Sequence, residues 1–226
     1  MNSLVLVLFS VATSAMAADS FAYGFDFVGQ ATDYAFDCLK RHGYETVFMR
    51  VYQKDNNGEV DAYAKANYNK ANSRSFPTEL FMELDPASNK TAADQVKEAV
   101  NYVKSNLYDL PGIWIKVYDP TTWTSDVNKN KQFIQAAVAQ IHAFKLRAGI
   151  HTNQMDWQMI TGGANGFEAE MVWYQRVTGV GWEGATSSDY SDYRPIAGFA
   201  EPEVKQYGKD IIECTLLLNA NCYKSS

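Results

Sequence analysis

Hydrophobic positions along the first two thirds of the chain alternate between two periods. Phe21 to Val28 is a short aromatic-rich run that predicts a strand. Thr32 can cap a helix whose apolar side is Ala35, Phe36, Cys38 and Leu39, and Gly43 ends it. Tyr44 to Tyr52 is β-branched and aromatic, a second strand, and Glu59 to Ser73 is Ala- and Tyr-rich with helical character. Phe76 to Leu84 predicts a third strand, broken at Pro86. Thr91-Ala92-Ala93-Asp94 resembles a capping box, and Val96, Ala99, Val100, Val103 and Leu107 follow at helical spacing. Gly112 to Tyr118 is a fourth strand. Phe133, Ile134, Ala137, Val138, Ile141 and Phe144 stripe a long helix, and Arg147 to Thr152 is a fifth strand. After about residue 153 the pattern changes. Glu170 to Gln175, Val204 to Tyr207 and Asp210 to Leu218 read as strands without full helices between them.

Five βα units leading into three helix-poor strands predict an α/β fold with a mostly parallel sheet closed into a barrel. The rival is a doubly wound open sheet. It is disfavoured because the surroundings of Gly24 and Gly29 do not spell GxGxxG. There is no internal repeat, low-complexity tract or linker, so residues 18–226 form one domain.

Composition narrows the partners. Twenty basic against 26 acidic side chains give a net charge of −6, which disfavours nucleic acid, whose phosphates need a basic face. Met1 to Ala17 reads as a secretory signal peptide: Leu4 to Phe9 is apolar, and Ala15-Met16-Ala17 places small residues at a cleavage site. No later stretch is long and apolar enough to span a membrane. Export puts Cys38, Cys214 and Cys222 in an oxidising compartment, with one disulfide allowed and one cysteine left over. Cys214 could pair with Cys222, or Cys38 with the C-terminal region. Asn89-Lys90-Thr91 is an N-glycosylation sequon in a polar stretch.

Active residues of a β/α barrel stand at the C-terminal ends of its strands. Those ends offer Asp26, then Glu83 and Asp85, then Lys116, Tyr118 and Asp119, then His151. The last strands add Trp173 and Tyr174, Gln206 and Tyr207, and Asn219. Acids mixed with aromatic and amide groups suit a sugar, because aromatic faces stack on pyranose rings while carboxylates and amides bond to hydroxyls. Of the substrate-binding candidates, Trp173, Tyr174, Gln206 and Tyr207 carry this reading. Other chemistries lack their motifs. The three histidines, His42, His142 and His151, have no HExxH or CxxC company, so neither metal nor cofactor is expected. Neither a GxSxG elbow nor a phosphate loop is present.

Five segments now carry a resemblance: Tyr23-Gly24-Phe25-Asp26, Cys38-Leu39-Lys40 with Gly43-Tyr44, Gly112-Ile113-Trp114-Ile115, Trp173-Tyr174, and Lys205-Gln206-Tyr207-Gly208 with Asp210. In order and spacing the chain resembles secreted lysozymes of glycoside hydrolase family 25, in the branch found in nematodes and protists, from about Ala22 to Tyr223. The resemblance implies a modified TIM-type barrel of five βα units followed by three strands. It also implies cleavage of the β-1,4 glycosidic bond of peptidoglycan by an Asp-x-Glu motif ending the fourth strand, an Asp on the first strand and another near the eighth. Carried over by residue, the first-strand acid is Asp26, the Asp-x-Glu motif falls on Lys116-Val117-Tyr118, and the eighth-strand acid falls on Asn219. A Tyr and an acid expected after the tryptophan strand fall on Val177 and Thr178.

Glycoside cleavage needs one group to protonate the leaving oxygen and a second to stabilise or attack the cation. Tyr118 is a poor donor, with an ordinary pKa of about 10. Lys116 puts positive charge where the transition state becomes positive, and an ion pair with Asp26 is its expected role. The leading expectation is a secreted, monomeric lysozyme-like protein of innate defence or digestion that has lost hydrolysis and keeps affinity for peptidoglycan or a related glycan. The alternative is an active lysozyme with displaced acids, Asp119 first, then Glu83 or Asp85. A third is a protein-interaction platform around Tyr190 and Tyr193.

Overall fold

The computed structural model describes residues 20–106 and 111–225. The expected signal peptide, Met1 to Ala17, and Leu107 lie outside them. Among the described residues the strands are β1 Phe21–Phe27, β2 Thr46–Gln53, β3 Glu59–Val60, β4 Thr78–Met82, β5 Gly112–Lys116, β6 Arg147–Thr152, β7 Met171–Gln175, β8 Val204–Glu213 and β9 Leu216–Lys224. The helices are α1 Asp33–Arg41, α2 Ala64–Asn72, α3 Ala92–Asn106, α4 Val127–Ala143 and α5 Gln154–Thr161. The sheet runs β1-β9-β8-β7-β6-β5-β4-β2-β3 and closes through β1 on β2, so β3 is left outside an eight-stranded barrel. Within the barrel, neighbours among β1, β2 and β4 to β8 are parallel, while β9 lies antiparallel to both β8 and β1, and β3 pairs antiparallel with β2.

Local chemistry fixes the helix ends. Thr32 Oγ1 accepts from the Ala35 amide, Asp33 stands in the first turn of α1, and Lys40 and Arg41 stand in the last. Asp126 caps α4 by accepting from the amides of Asn128 and Lys129. The outward side chains of the strands form one large core under the helices. The inward ones form a second, made of Phe48, Phe81, Trp114, Met171, Trp173 and Val204. Gly149 has no room for a side chain in that interior, since a Cβ there would lie 2.2 Å from Trp114 Cε3.

Three features depart from the sequence reading. The segment from Glu59 begins as a strand pairing with Tyr52 and Gln53, because Asn56, Asn57 and Gly58 all take positive φ and turn the chain back. A short helix, α5, follows β6, capped by Asn153 and ended by Gly162 at φ +69°. It buries Trp157, Ile160 and Thr161. The eighth strand is not Asp210 to Leu218: β8 runs on to Glu213, and the chain reverses at Cys214 and Thr215, both at positive φ, into β9. That hairpin is stapled to α1 by the Cys38–Cys214 disulfide, while Cys222 is a buried free thiol pushed up to about 12 by desolvation.

Candidate active site

Period-two alternation sends every second side chain of each strand into the barrel. Near the C-terminal ends of the parallel strands these side chains turn polar. Asp26, Arg50, Glu83, Lys116, His151, Gln206 and Asn219 cap the apolar layer of Phe48, Phe81, Trp114 and Trp173. Above them opens a cleft of about 680 Å³, walled by Phe27, Tyr118, Trp123, Asn153, Asp156, Gln175, Lys209 and Asp210 among others.

Asp26 lies at the centre of this layer and is 1% exposed. Its carboxylate accepts from Asn219 Nδ2 at 2.7 Å and from Asn221 Nδ2 at 2.8 Å. Asn221 Oδ1 in turn accepts from Trp173 Nε1 at 3.0 Å. Burial raises the Asp26 pKa, opposed by Lys116 and the two asparagine amides. Asp26 and Asn219 face each other in register on β1 and β9, which places the amide on the carboxylate.

Lys116 does not pair with Asp26 as expected. Its Nζ lies 3.3 Å from Glu83 Oε1. The strand order explains the correction: β5 is a direct neighbour of β4, whose end carries Glu83, while β4 and β2 separate β5 from β1. Glu83 also receives Arg50 Nη1 at 2.7 Å, and Arg50 Nε donates to Asp61 at 2.8 Å. Burial alone would raise Glu83, but Lys116 and Arg50 outweigh it and hold the carboxyl below its ordinary value. It remains ionised at neutral pH.

Tyr118 edges against His151 with centroids 4.7 Å apart, and His151 stacks flat on Trp173 at 3.6 Å. Burial, reinforced by the nearby charges of Asp26 and Asp156, keeps the Tyr118 phenol well above its usual pKa. Burial and Lys116 keep His151 well below, so the imidazole is neutral. Asp119 stands on the cleft lip at φ +56°, 3.7 Å from Lys54 Nζ. A hydrogen bond from Thr121, with a smaller contribution from Lys54, lowers its pKa despite slight burial. Asp85 is not on the cleft wall; it caps the following turn by accepting from the Ala87 amide.

Of the four sugar-contact candidates, Gln206 alone lines the cleft. Trp173 is fully buried one layer below, plugging the barrel. Tyr174 points outward and donates to Asp192 at 2.8 Å. Tyr207 also points outward, into a separate surface hollow. One-residue steps along a strand reverse the face, so Gln206 and Tyr207 could not both face the cleft. Tyr190 and Tyr193 are half-buried: they pack against the core and also line a separate surface hollow with Phe21 and Pro202. Their hydroxyls donate to the carbonyls of Glu203 and Phe199. Asn89 is exposed in the loop between β4 and α3.

The sequence reading missed Arg50 and Trp123. Arg50 was visible as the one charge inside an otherwise apolar strand, and Trp123 as an aromatic in the loop after the fourth strand. Trp123 Nε1 donates to the Tyr118 carbonyl at 3.0 Å, which holds the indole at the cleft wall.

Comparison with known proteins follows from this architecture. The family described as Lysozyme-like protein 1 matches residues 17–207. Lysozyme-like protein 7 of Caenorhabditis elegans is 31% identical over 205 residues, spanning 90% of this chain and 72% of that one. Probable GH family 25 lysozyme 5 of Dictyostelium discoideum is 28% identical, covering 89% and 90%. Among solved structures, a family GH25 lysozyme from Aspergillus fumigatus superposes with a TM-score of 0.71 at 16% identity, covering 92% of this chain and 95% of that one.

Proposed function

The chain belongs to the lysozyme-like family allied to the GH25 lysozymes, and from that premise we propose that it is a secreted monomer that binds peptidoglycan or a related glycan without cleaving it. One observation carries the reading. The two carboxylates at the cleft floor are both committed: Asp26 is buried under two asparagine amides, and Glu83 is held ionised between Arg50 and Lys116. Neither is an exposed carboxylic acid ready to protonate a glycosidic oxygen, which the two-carboxylate mechanism requires.

Binding survives this loss because it draws on other groups. Trp123 offers an aromatic face, and Gln175 and Gln206 offer amides along the same wall. Secretion is supported by the N-terminal leader and by the Cys38–Cys214 disulfide, a bond that persists in oxidising compartments. A role in defence or digestion fits a secreted wall-binding protein.

The test is calorimetric titration with a soluble disaccharide-peptide fragment of peptidoglycan, followed by chromatography of the mixture. Saturable heat with an unchanged fragment profile is expected, and Trp123→Ala weakens the binding about tenfold or more, the loss of one stacked ring. No heat at millimolar fragment removes the binding half of the proposal. New reducing ends remove the other half and point to Asp119 as a displaced acid.

A further inference from the structure

The outer wall of the barrel carries a second hollow that shares no lining residue with the cleft. It measures about 210 Å³ and is lined by Tyr23, His42, Tyr44, Trp182, Tyr207 and Glu213. Its position follows from the topology. The last two strands are antiparallel and β8 is followed by a hairpin instead of a helix, so the outer face of β8 lacks the helical cover that α1 gives Phe25 and Phe27 of β1. The β8–β9 hairpin, tied to α1 by the disulfide, forms one side, and the short turn at Trp182–Gly184 forms another.

Three aromatic rings face this space at different angles. Trp182 is tilted 39° to Tyr207 with centroids 6.4 Å apart, and Tyr23 stands at 66° to Tyr207 at 6.3 Å. Trp182 is 50% exposed and Tyr23 38% exposed, so water covers aromatic faces that folding did not bury. At the rim Glu213 is held rigidly, receiving His42 Nδ1 at 2.6 Å and the Tyr44 hydroxyl at 3.0 Å. A carboxylate has about four acceptor sites, so capacity for sugar hydroxyls remains after these two bonds.

We propose that this hollow is a second saccharide-binding site, which seats one pyranose ring of a polymeric glycan against Trp182 and Tyr23 with hydroxyls bonded to Glu213. A sugar fits better than a quaternary ammonium ion. The aromatic surface is partnered by a carboxylate fixed by two donors with acceptor sites to spare, and those sites bond to the hydroxyls of a pyranose, whereas a quaternary ammonium ion has no N–H or O–H to offer them. The site gives the protein two footholds on one polymer. Two linked weak contacts raise avidity on a long chain by orders of magnitude, about 10²–10⁴ in favourable geometry, without changing affinity for a short fragment. The choice of an amino-sugar polymer as ligand rests on the function proposed above; the hollow itself rests only on its own residues.

The experiment uses the full mature chain and the β-1,4 tetramer of N-acetylglucosamine. Two indole N–H resonances separate the sites, because Trp123 lines the cleft and Trp182 lines the hollow. Saturable movement of the Trp182 signal, lost from pelleting on whole peptidoglycan as at least a tenfold weakening in Trp182→Ala, supports the proposal. Trp182 is half exposed, so this variant tests contact without removing core. Movement of Trp123 alone overturns the second site and leaves the cleft reading standing. Movement of Trp182 alone upholds the second site and overturns the cleft reading. A Trp182 response to tetramethylammonium with none to the tetramer also overturns the proposal, in favour of a cation cage.

Discussion

Glu83→Gln is the perturbation that bears most directly on the electrostatics of the cleft floor. Glu83 lies between Arg50 Nη1 at 2.7 Å and Lys116 Nζ at 3.3 Å, with the three side chains only 18%, 13% and 19% exposed. Removing its charge leaves Lys116 without its partner, while Arg50 keeps Asp61 at 2.8 Å. Breaking a buried pair from one side costs about 3–5 kcal/mol; partial exposure and the surviving Asp61 contact place this variant near the lower end, at about 3 kcal/mol. Lys116→Met leaves Glu83 bound to Arg50 and costs about 1 kcal/mol, the worth of one ordinary charge-assisted contact after solvent exchange. In the double variant the uncovered lysine is gone, so its loss falls short of the sum of the two singles by about 1.5 kcal/mol, within the range seen for residues in contact. Urea unfolding at pH 7 reads this out, since about 3 kcal/mol moves the midpoint by roughly 1–1.5 M at an m-value near 2–3 kcal/mol/M.

The pH dependence has a definite sign. Folding lowers the Glu83 pKa, so its contribution is full above the unfolded value, about 4.3, and disappears as pH falls through the folded one. The gap between parent and Glu83→Gln is therefore widest at neutral pH and closes below about pH 4. Equal midpoints at pH 7, or singles that add to the double within about 0.5 kcal/mol, would refute the network.

Other outcomes follow from separate parts of the molecule. Burial raises the Asp26 pKa, so this group withdraws stability as pH climbs from the unfolded value of about 3.9 to the folded one. Asp26→Asn removes that slope, and a thermal scan series from pH 3 to 7 showing the parent's slope unchanged would contradict it. The disulfide closes a loop with a sequence separation of 176, worth about 5 kcal/mol in the chain-entropy account. Cys38→Ser with Cys214→Ser should then lower Tm by roughly 10–20 °C, and a drop under about 3 °C would show that the hairpin is held by packing alone. Gly149→Ala drives a methyl into Trp114 and should cost about 3 kcal/mol or more in urea unfolding; a neutral result would mean that the interior indole is free to move. Peptide mapping of secreted protein should find a new N-terminus at Ala18 and a glycan on Asn89, removed by Asn89→Gln.

The barrel was legible because its parallel half is made of regular βα units, whose two periods leave little freedom in Phe36 and Leu39, Val96 and Val100, or Ile134 and Ile141. The antiparallel end was harder. Cys214 and Thr215 form a tight reversal at positive φ without the Gly or Asn that usually marks one, so the last two strands were divided in the wrong place. Helix α5 was missed because it is barely two turns long. In the site, the strand-end rule brought Asp26, Glu83, Lys116, Tyr118, Gln206 and Asn219 to one layer. Height within the barrel was not legible, so Trp173 was read as a cleft residue although it fills the level below. Partner choice was not legible either, since Lys116 could be assigned to Glu83 only once strand adjacency was known.

Incubation of the mature protein with insoluble peptidoglycan, with muropeptide release and co-sedimentation measured in the same tube, tests the central claim most directly. Saturable sedimentation with release no greater than that of peptidoglycan incubated without protein is the predicted result. Release by the parent above that control would contradict it, showing that the cleft still holds a working acid.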